Sequence, residues 1–163
     1  MYSFEEVLQE SKKYFNGDEL AANVFANKYA LVDESGNFLE KTPDDMHRRI
    51  AREFSRIEQK YKNPLSEDEI YSLLKDFKYI VPQGSPMSGI GNSTQIQSLS
   101  NCFVIESPDD SYGGILKADQ EQVQIMKRRG GVGFDISTIR PRGLKTSNAA
   151  KTTDGISVFM ERF

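Results

Sequence analysis

At Tyr79 the sequence changes its period, and that change constrains the fold more than any other feature. Upstream of it, apolar residues recur every three to four positions, the spacing that gathers them on one face of a helix. Phe4, Val7, Leu8 and Phe15 predict an amphipathic helix over residues 3–15, ended by Asn16-Gly17. Asp18 is placed to cap a second, shorter helix carrying Leu20, Val24 and Phe25. Tyr29 to Val32 and Phe38-Leu39 flank a turn at Ser35-Gly36, the pattern of a hairpin. Thr42-Pro43 then offers an N-cap followed by Pro at the first helical position, where its missing N–H costs nothing. That helix continues through Met46, Ile50, Phe54, Ile57 and Tyr61, with His47 beside the apolar stripe and read as a surface histidine. Ser66 and Glu69 form a capping box ahead of Ile70, Leu73, Leu74 and Phe77.

Downstream of Tyr79 the chain alternates short apolar stretches with loops rich in Gly, Ser, Asn and Pro. Tyr79 to Val81 and Phe103 to Ile105 are the predicted strands, and Pro82 to Ser100 is a predicted loop between them. Loops of that length are uncommon in compact domains unless they bind something. A helix is predicted from Gly114 to Arg128, with Ile115, Val123 and Met126 apolar, stopping at the glycines that follow Arg129. The last amphipathic segment carries Ile156, Phe159 and Phe163, and its final turn is still patterned for burial, as if the sequence were cut within a structure. The expectation is a mixed α/β chain, with a mainly helical region at 1–78 and an α/β region at 79–163.

Composition narrows the function. The net charge of −3 over 163 residues gives no general attraction for a nucleic acid polymer, although Lys127, Arg128 and Arg129 form a local basic cluster. No apolar run approaches the ~20 residues that span a bilayer. The N-terminus MYSFEEVLQE has neither a basic start nor an apolar signal segment, so the expected compartment is the cytoplasm. One Cys and one His exclude an internal disulfide and a Cys-rich metal site, and argue against any transition-metal site within the chain.

Three loops carry residues suited to chemistry. In Gly84-Ser-Pro-Met-Ser-Gly89, small hydroxyl residues suit phosphate oxygens, although such loops are usually only turns. In Ser100-Asn-Cys102, a thiol sits at a strand end beside a polar loop. That is a better place for redox work than an apolar helix face, while a lone Cys is more often a buried small hydrophobe. In Arg129-Gly-Gly-Val-Gly133, followed by Arg140 and Arg142, glycines allow close backbone approach and arginines pair with phosphates. The stretch lacks the Gly-Lys-Ser/Thr ending of a P-loop. Its glycines follow a helix and precede a strand, the reverse of a dinucleotide fingerprint.

Taken together, these loops resemble ribonucleotide reductase large subunits in order and spacing. The matching stretches are Ser85-Pro-Met-Ser-Gly89, Leu99-Ser-Asn-Cys-Phe-Val-Ile105, Asp110-Ser111, Arg129-Gly-Gly-Val-Gly133 and Ile139-Arg-Pro-Arg-Gly143. The wording of the motifs is most similar to the adenosylcobalamin-dependent class. The resemblance implies an N-terminal helical region followed by the first part of a ten-stranded α/β barrel. It implies that Ser85 contacts the substrate phosphate and that Cys102 is one of the cysteine pair that reduces the ribose 2′ position. Asn101 and Gly131 would lie beside the substrate. Asp110, Ser111 and Arg140, with Lys145 and Ser147, would belong to a specificity site for a deoxynucleotide effector, with ATP as a further effector. The helix 114–128 would pair with its counterpart in a homodimer.

The implied partners are a ribonucleotide, a thioredoxin- or glutaredoxin-type reductant, and the remaining C-terminal part of the catalytic subunit. The implied radical source is adenosylcobalamin, or alternatively a metal-containing radical-generating subunit. The chain departs from the family where Asn101 stands in place of a frequent Ser or Ala. With Cys102 as its only cysteine, the second reducing cysteine, the thiyl-radical cysteine and the C-terminal pair must come from outside these 163 residues. The sequence therefore leaves two readings: one part of a split or longer catalytic subunit, inactive alone, or a non-catalytic nucleotide-binding or regulatory module that pairs with a reductase.

Overall fold

The computed structural model describes residues 1–161 and 163, which form two compact units, Met1–Leu99 and Ser100–Phe163. The first unit is built from helices whose starts are written locally. Helix α1 (Phe4–Tyr14) begins at Ser3, whose hydroxyl accepts from the Glu6 backbone N–H while the Glu6 carboxylate accepts from that of Ser3. Helix α2 (Glu19–Lys28) begins at Asp18, whose carboxylate accepts from Ala21 N–H at 2.9 Å. Helix α3 (Pro43–Glu58) starts after Thr42, with Asp45 accepting from Thr42 N–H at 2.9 Å. Helix α4 (Glu67–Leu74) has the Ser66–Glu69 capping box. Each cap satisfies amide donors that the first helical turn leaves without a partner.

The hydrophobic faces of these four helices converge on one core of Val7, Phe25, Ala26, Met46, Ile50, Ala51, Ile70, Tyr71 and Leu74. Burying aliphatic side chains of this size stabilises by about 1.5–3 kcal/mol each before conformational entropy is counted. The predicted hairpin is reduced to single antiparallel bridges, Val32 with Phe38 and Tyr2 with Phe38. Its turn is held instead by the Asp33 carboxylate, which accepts from the backbone of Ser35 and Asn37 and from the Asn37 amide.

Three expectations fail in this unit. His47 is not on the surface: it is fully buried, edge-on to Phe77 with ring centroids 4.5 Å apart. Tyr79 to Val81 form no strand and stay exposed, because no neighbouring segment offers them a ladder. The predicted loop after Pro82 contains a short helix, α5 (Gly84–Gly89), made of residues with poor helix propensity. Between α4 and that region lies a 3-10 turn, Lys75–Phe77, in which Asp76 and Phe77 have φ of 56° and 54°. Left-handed backbone is unfavourable for such residues. It is held by contacts: Tyr14 Oη donates to Asp76 at 3.3 Å, and the Phe77 ring stacks on Phe15.

In the second unit, β1 (Cys102–Val104) and β2 (Gly131–Gly133) form a two-stranded parallel sheet with Cys102 opposite Gly131, Phe103 opposite Val132 and Val104 opposite Gly133. Parallel neighbours need a long crossover, supplied by α6 (Tyr112–Met126), which starts two residues before its predicted position. Helix α6 stops where Arg129 turns left-handed at φ 66° and Gly130 N–H bonds back to Ile125 O. Gly130 is obligatory there, since a Cβ would fall 2.5 Å from Ile125 Cγ2 and 2.8 Å from Phe103 Cε2. This glycine seats the helix end on the strand rather than admitting a ligand. A short helix, α7 (Ile156–Met160), ends the unit. No helix among the described residues is long and apolar enough to cross a membrane.

Candidate functional site

The second unit gathers most of the residues singled out by sequence, in two places. At the first, Cys102 opens β1 with its side chain exposed, which removes the buried-hydrophobe alternative. Parallel pairing sets Gly131 opposite it, and Gly131 N–H donates to Asn101 O at 2.6 Å. A Cβ at position 131 would lie 3.2 Å from that carbonyl and 3.8 Å from Cys102 Sγ. Any larger residue would crowd Asn101 and begin to shield the thiol. Asn101, Cys102 and Gly131 therefore form one small patch whose openness depends on a missing side chain.

The second place is a cavity of about 280 Å³ lined by Asp110, Ser111, Tyr112, Arg140, Ser147 and Asn148, among others. Its floor is set by a short brace between two loops. Asp110 accepts from the Arg140 backbone N–H at 3.2 Å and from the Arg140 guanidinium, while Thr138 Oγ1 donates to Pro108 O at 2.7 Å. The Arg140 amide and guanidinium hold the Asp110 carboxyl below its ordinary range, so it stays ionised at neutral pH. Ser111 Oγ accepts from Gly114 N–H and so caps α6. The far wall is the loop 143–153, closed by backbone bonds from Gly143 N–H to Thr153 O, Thr153 N–H to Leu144 O and Thr146 N–H to Lys151 O.

Four of the five predicted effector residues thus share one cavity. Lys145 does not line it; its backbone instead bridges to Thr152. Tyr112, Thr146 and Asn148 also line the cavity and were missed from sequence. The signal lay in Thr146-Ser147-Asn148, where the Asn148 side chain accepts from Thr146 Oγ1 and Ala150 N–H, a local polar turn. Ser85 belongs to the other unit. It sits in the first turn of α5, 6% exposed, with its carbonyl accepting from Gln97 Nε2 at 3.3 Å. Helix α6 buries Ile115 and Ala118 and leaves Tyr112, Leu116, Val123 and Met126 exposed. Of the three apolar residues predicted on this helix, Ile115 is packed inside the unit, while Val123 and Met126 are exposed.

The family model described as ribonucleotide reductase, all-alpha domain, matches residues 15–91, and that described as ribonucleotide reductase, barrel domain, matches residues 100–163. The chain belongs to the ribonucleotide reductase large-subunit family. The two matches fall one in each compact unit, so the helical unit corresponds to the family's all-alpha domain and the β1–α6–β2 unit to the start of its barrel. A vitamin B12-dependent ribonucleoside-diphosphate reductase of Mycobacterium tuberculosis is 26% identical over 146 residues, covering 88% of this chain and 20% of that protein. The alpha subunit of a ribonucleoside-diphosphate reductase of Helicobacter pylori is 26% identical over 147 residues, 90% of this chain and 18% of that protein. A large chain of the Saccharomyces cerevisiae enzyme is 38% identical over 58 residues, 36% of this chain and 7% of that protein. The chain spans about a fifth of the length of the first two relatives.

Proposed function

We propose that this chain supplies a reducing thiol, a substrate-phosphate contact and a deoxynucleotide effector site to a ribonucleotide reductase. The observation that carries the reading is the exposed Cys102 thiol at the start of a parallel strand pair, kept open by Gly131 and flanked by Asn101. In the reaction, a thiyl radical takes the 3′ hydrogen, the protonated 2′ hydroxyl leaves as water, two thiols supply two electrons and end as a disulfide, and the hydrogen returns to C3′ to regenerate the thiyl radical. Cys102 is one of those two thiols; its partner and the radical cysteine come from outside these residues. Ser85, at the start of α5, meets the substrate phosphate. The cavity at Asp110, Ser111, Arg140 and Ser147 takes the effector. A second copy of the chain would dock along the exposed face of α6 formed by Tyr112, Leu116, Val123 and Met126.

A metal-based radical source does not fit the described residues. Its one histidine is buried against Phe77, and no group of three or more His, Cys, Asp or Glu side chains is placed to hold a metal among the described residues. A corrin, suggested by the vitamin B12-dependent relatives, or a metal-bearing subunit would supply the radical from outside these residues.

The test is reconstitution. Alone, the chain is expected to bind deoxynucleotide without turnover. Combined with the remainder of a large subunit, a radical source and a thioredoxin-type reductant, it is expected to reduce ribonucleotides. Turnover by the chain alone would overturn the account of the missing cysteines. Binding without turnover in every combination would favour a regulatory module.

A further inference from the structure

We infer that Arg49, locked on Glu40, is the positioning residue for Ser85, an inference that rests on the reading of Ser85 as a substrate-phosphate contact. Helix α5 has little reason to exist on its own. Its six residues, Gly-Ser-Pro-Met-Ser-Gly, include two glycines and a proline, and so short a helix does not form unaided. What holds it comes from outside its own sequence.

Arg49 projects from α3 and is 10% exposed. Its guanidinium donates to Met87 O at 2.8 Å and also to Ile90 O, the carbonyls at the C-terminal end of α5. The same guanidinium is fixed by Glu40, itself 5% exposed, through Nε to Oε1 at 2.6 Å and Nη2 to Oε2 at 3.3 Å. Glu40 is in turn anchored by Leu31 N–H at 2.8 Å. Gly91, at φ +73°, lets the chain fold tightly over this arginine, where a Cβ would come within 2.9 Å of Arg49 Cγ. On the other side, Gln97 Nε2 donates to Ser88 Oγ at 2.9 Å and to Ser85 O at 3.3 Å.

The planar fork of arginine matters here. Only a guanidinium presents enough donors, in fixed directions, to bind a carboxylate and two carbonyls at once. A lysine keeps the charge opposite Glu40 and cannot span all of these acceptors. Loss of the carbonyl contacts frees α5 to rotate, and Ser85 moves with it. The Glu40–Arg49 pair is nearly buried within the helical unit, and its effect on Ser85 runs through the carbonyls of α5.

The experiment is a double-mutant cycle in the complete reductase containing this chain, using Arg49→Lys, Ser85→Ala and the pair of them together. A contact to the phosphate holds ground state and transition state alike, so its loss raises KM and spares kcat. Arg49→Lys is expected to raise the ribonucleotide KM about five- to tenfold with kcat within about twofold, the size of one lost polar contact. Ser85→Ala is expected to do the same, and the double variant to be no worse than Ser85→Ala alone, because both remove one contact. Glu40→Gln keeps the shape and an acceptor for Leu31 N–H, and is expected to show a smaller KM rise of the same kind. A raised KM for Ser85→Ala with an unchanged KM for Arg49→Lys, whatever its melting temperature, overturns the positioning role alone. Multiplying effects in the double variant overturn it as well. An unchanged KM for Ser85→Ala overturns the phosphate reading, and the positioning role falls with it.

Discussion

The two units solve the problem of burial unequally. The helical unit encloses nine residues in one core, several of them completely removed from solvent. Among the described residues of the sheet unit, the buried hydrophobic ones are Ile115, Ala118 and Ile139, while Val104 is 90% exposed and Leu116, Val123, Met126, Val158 and Met160 are each about half exposed. Parallel strands normally lie buried on both faces, and a pair of three-residue strands has no independent stability. The first unit carries its own hydrophobic core, whereas the second leaves most of its large apolar side chains exposed.

That contrast breaks most visibly in amide hydrogen exchange. Amides of α3 between Met46 and Ala51 are expected to exchange at least a thousandfold more slowly than those of β1 and β2, since only global unfolding of a unit worth ~5 kcal/mol opens them. Equal protection would mean that the two units are one cooperative structure. A smaller effect separates the cores by substitution. Ile50→Ala, at a fully buried site, is expected to cost about 2–5 kcal/mol by denaturant unfolding. Val104→Ala, at an exposed one, should stay within about 0.5 kcal/mol. A larger effect at Val104 would show a core in the second unit that its exposure denies.

The smallest effect concerns His47. Burial pushes its imidazole below the ordinary histidine range, opposed by the Asp44 and Asp76 carboxylates, and neither ring nitrogen has a hydrogen-bond partner among the described residues. The unfolded chain then takes up a proton near pH 6.5 that the folded chain refuses, so stability falls as pH drops below that value. The helical unit is expected to lose stability as the pH falls from 7 to 5.5. His47→Leu is expected to flatten that slope. An unchanged slope would assign the acid sensitivity to another group.

What could be read from the sequence follows the range of the interactions involved. The caps at Asp18, Thr42 and Ser66 act within four residues, and the helices they begin were legible. The strand at Cys102 was legible from the apolar run Phe103 to Ile105, whereas its parallel pairing with Gly131–Gly133 was not. His47 was not, although it stands three residues before Ile50 and seven before Phe54, on the same face as the core. A polar residue at such a position can point either way, and only Phe77, thirty residues on, decides it. Helix α5 was illegible for the same reason: its residues argue for a turn, and the contacts that make it a helix come from Arg49 and Gln97. In the cavity, Lys145 and Ser147 are two residues apart in one loop, and only that loop's hairpin geometry turns one of them inward.

Cys102 is the residue on which the proposed chemistry depends most directly. In the complete reductase containing this chain, Cys102→Ser is expected to lower multiple-turnover reduction with a thioredoxin-type reductant by at least about a hundredfold, while deoxynucleotide affinity stays within about twofold. Sustained turnover by the serine variant would contradict the claim that this thiol is one of the two that reduce the substrate.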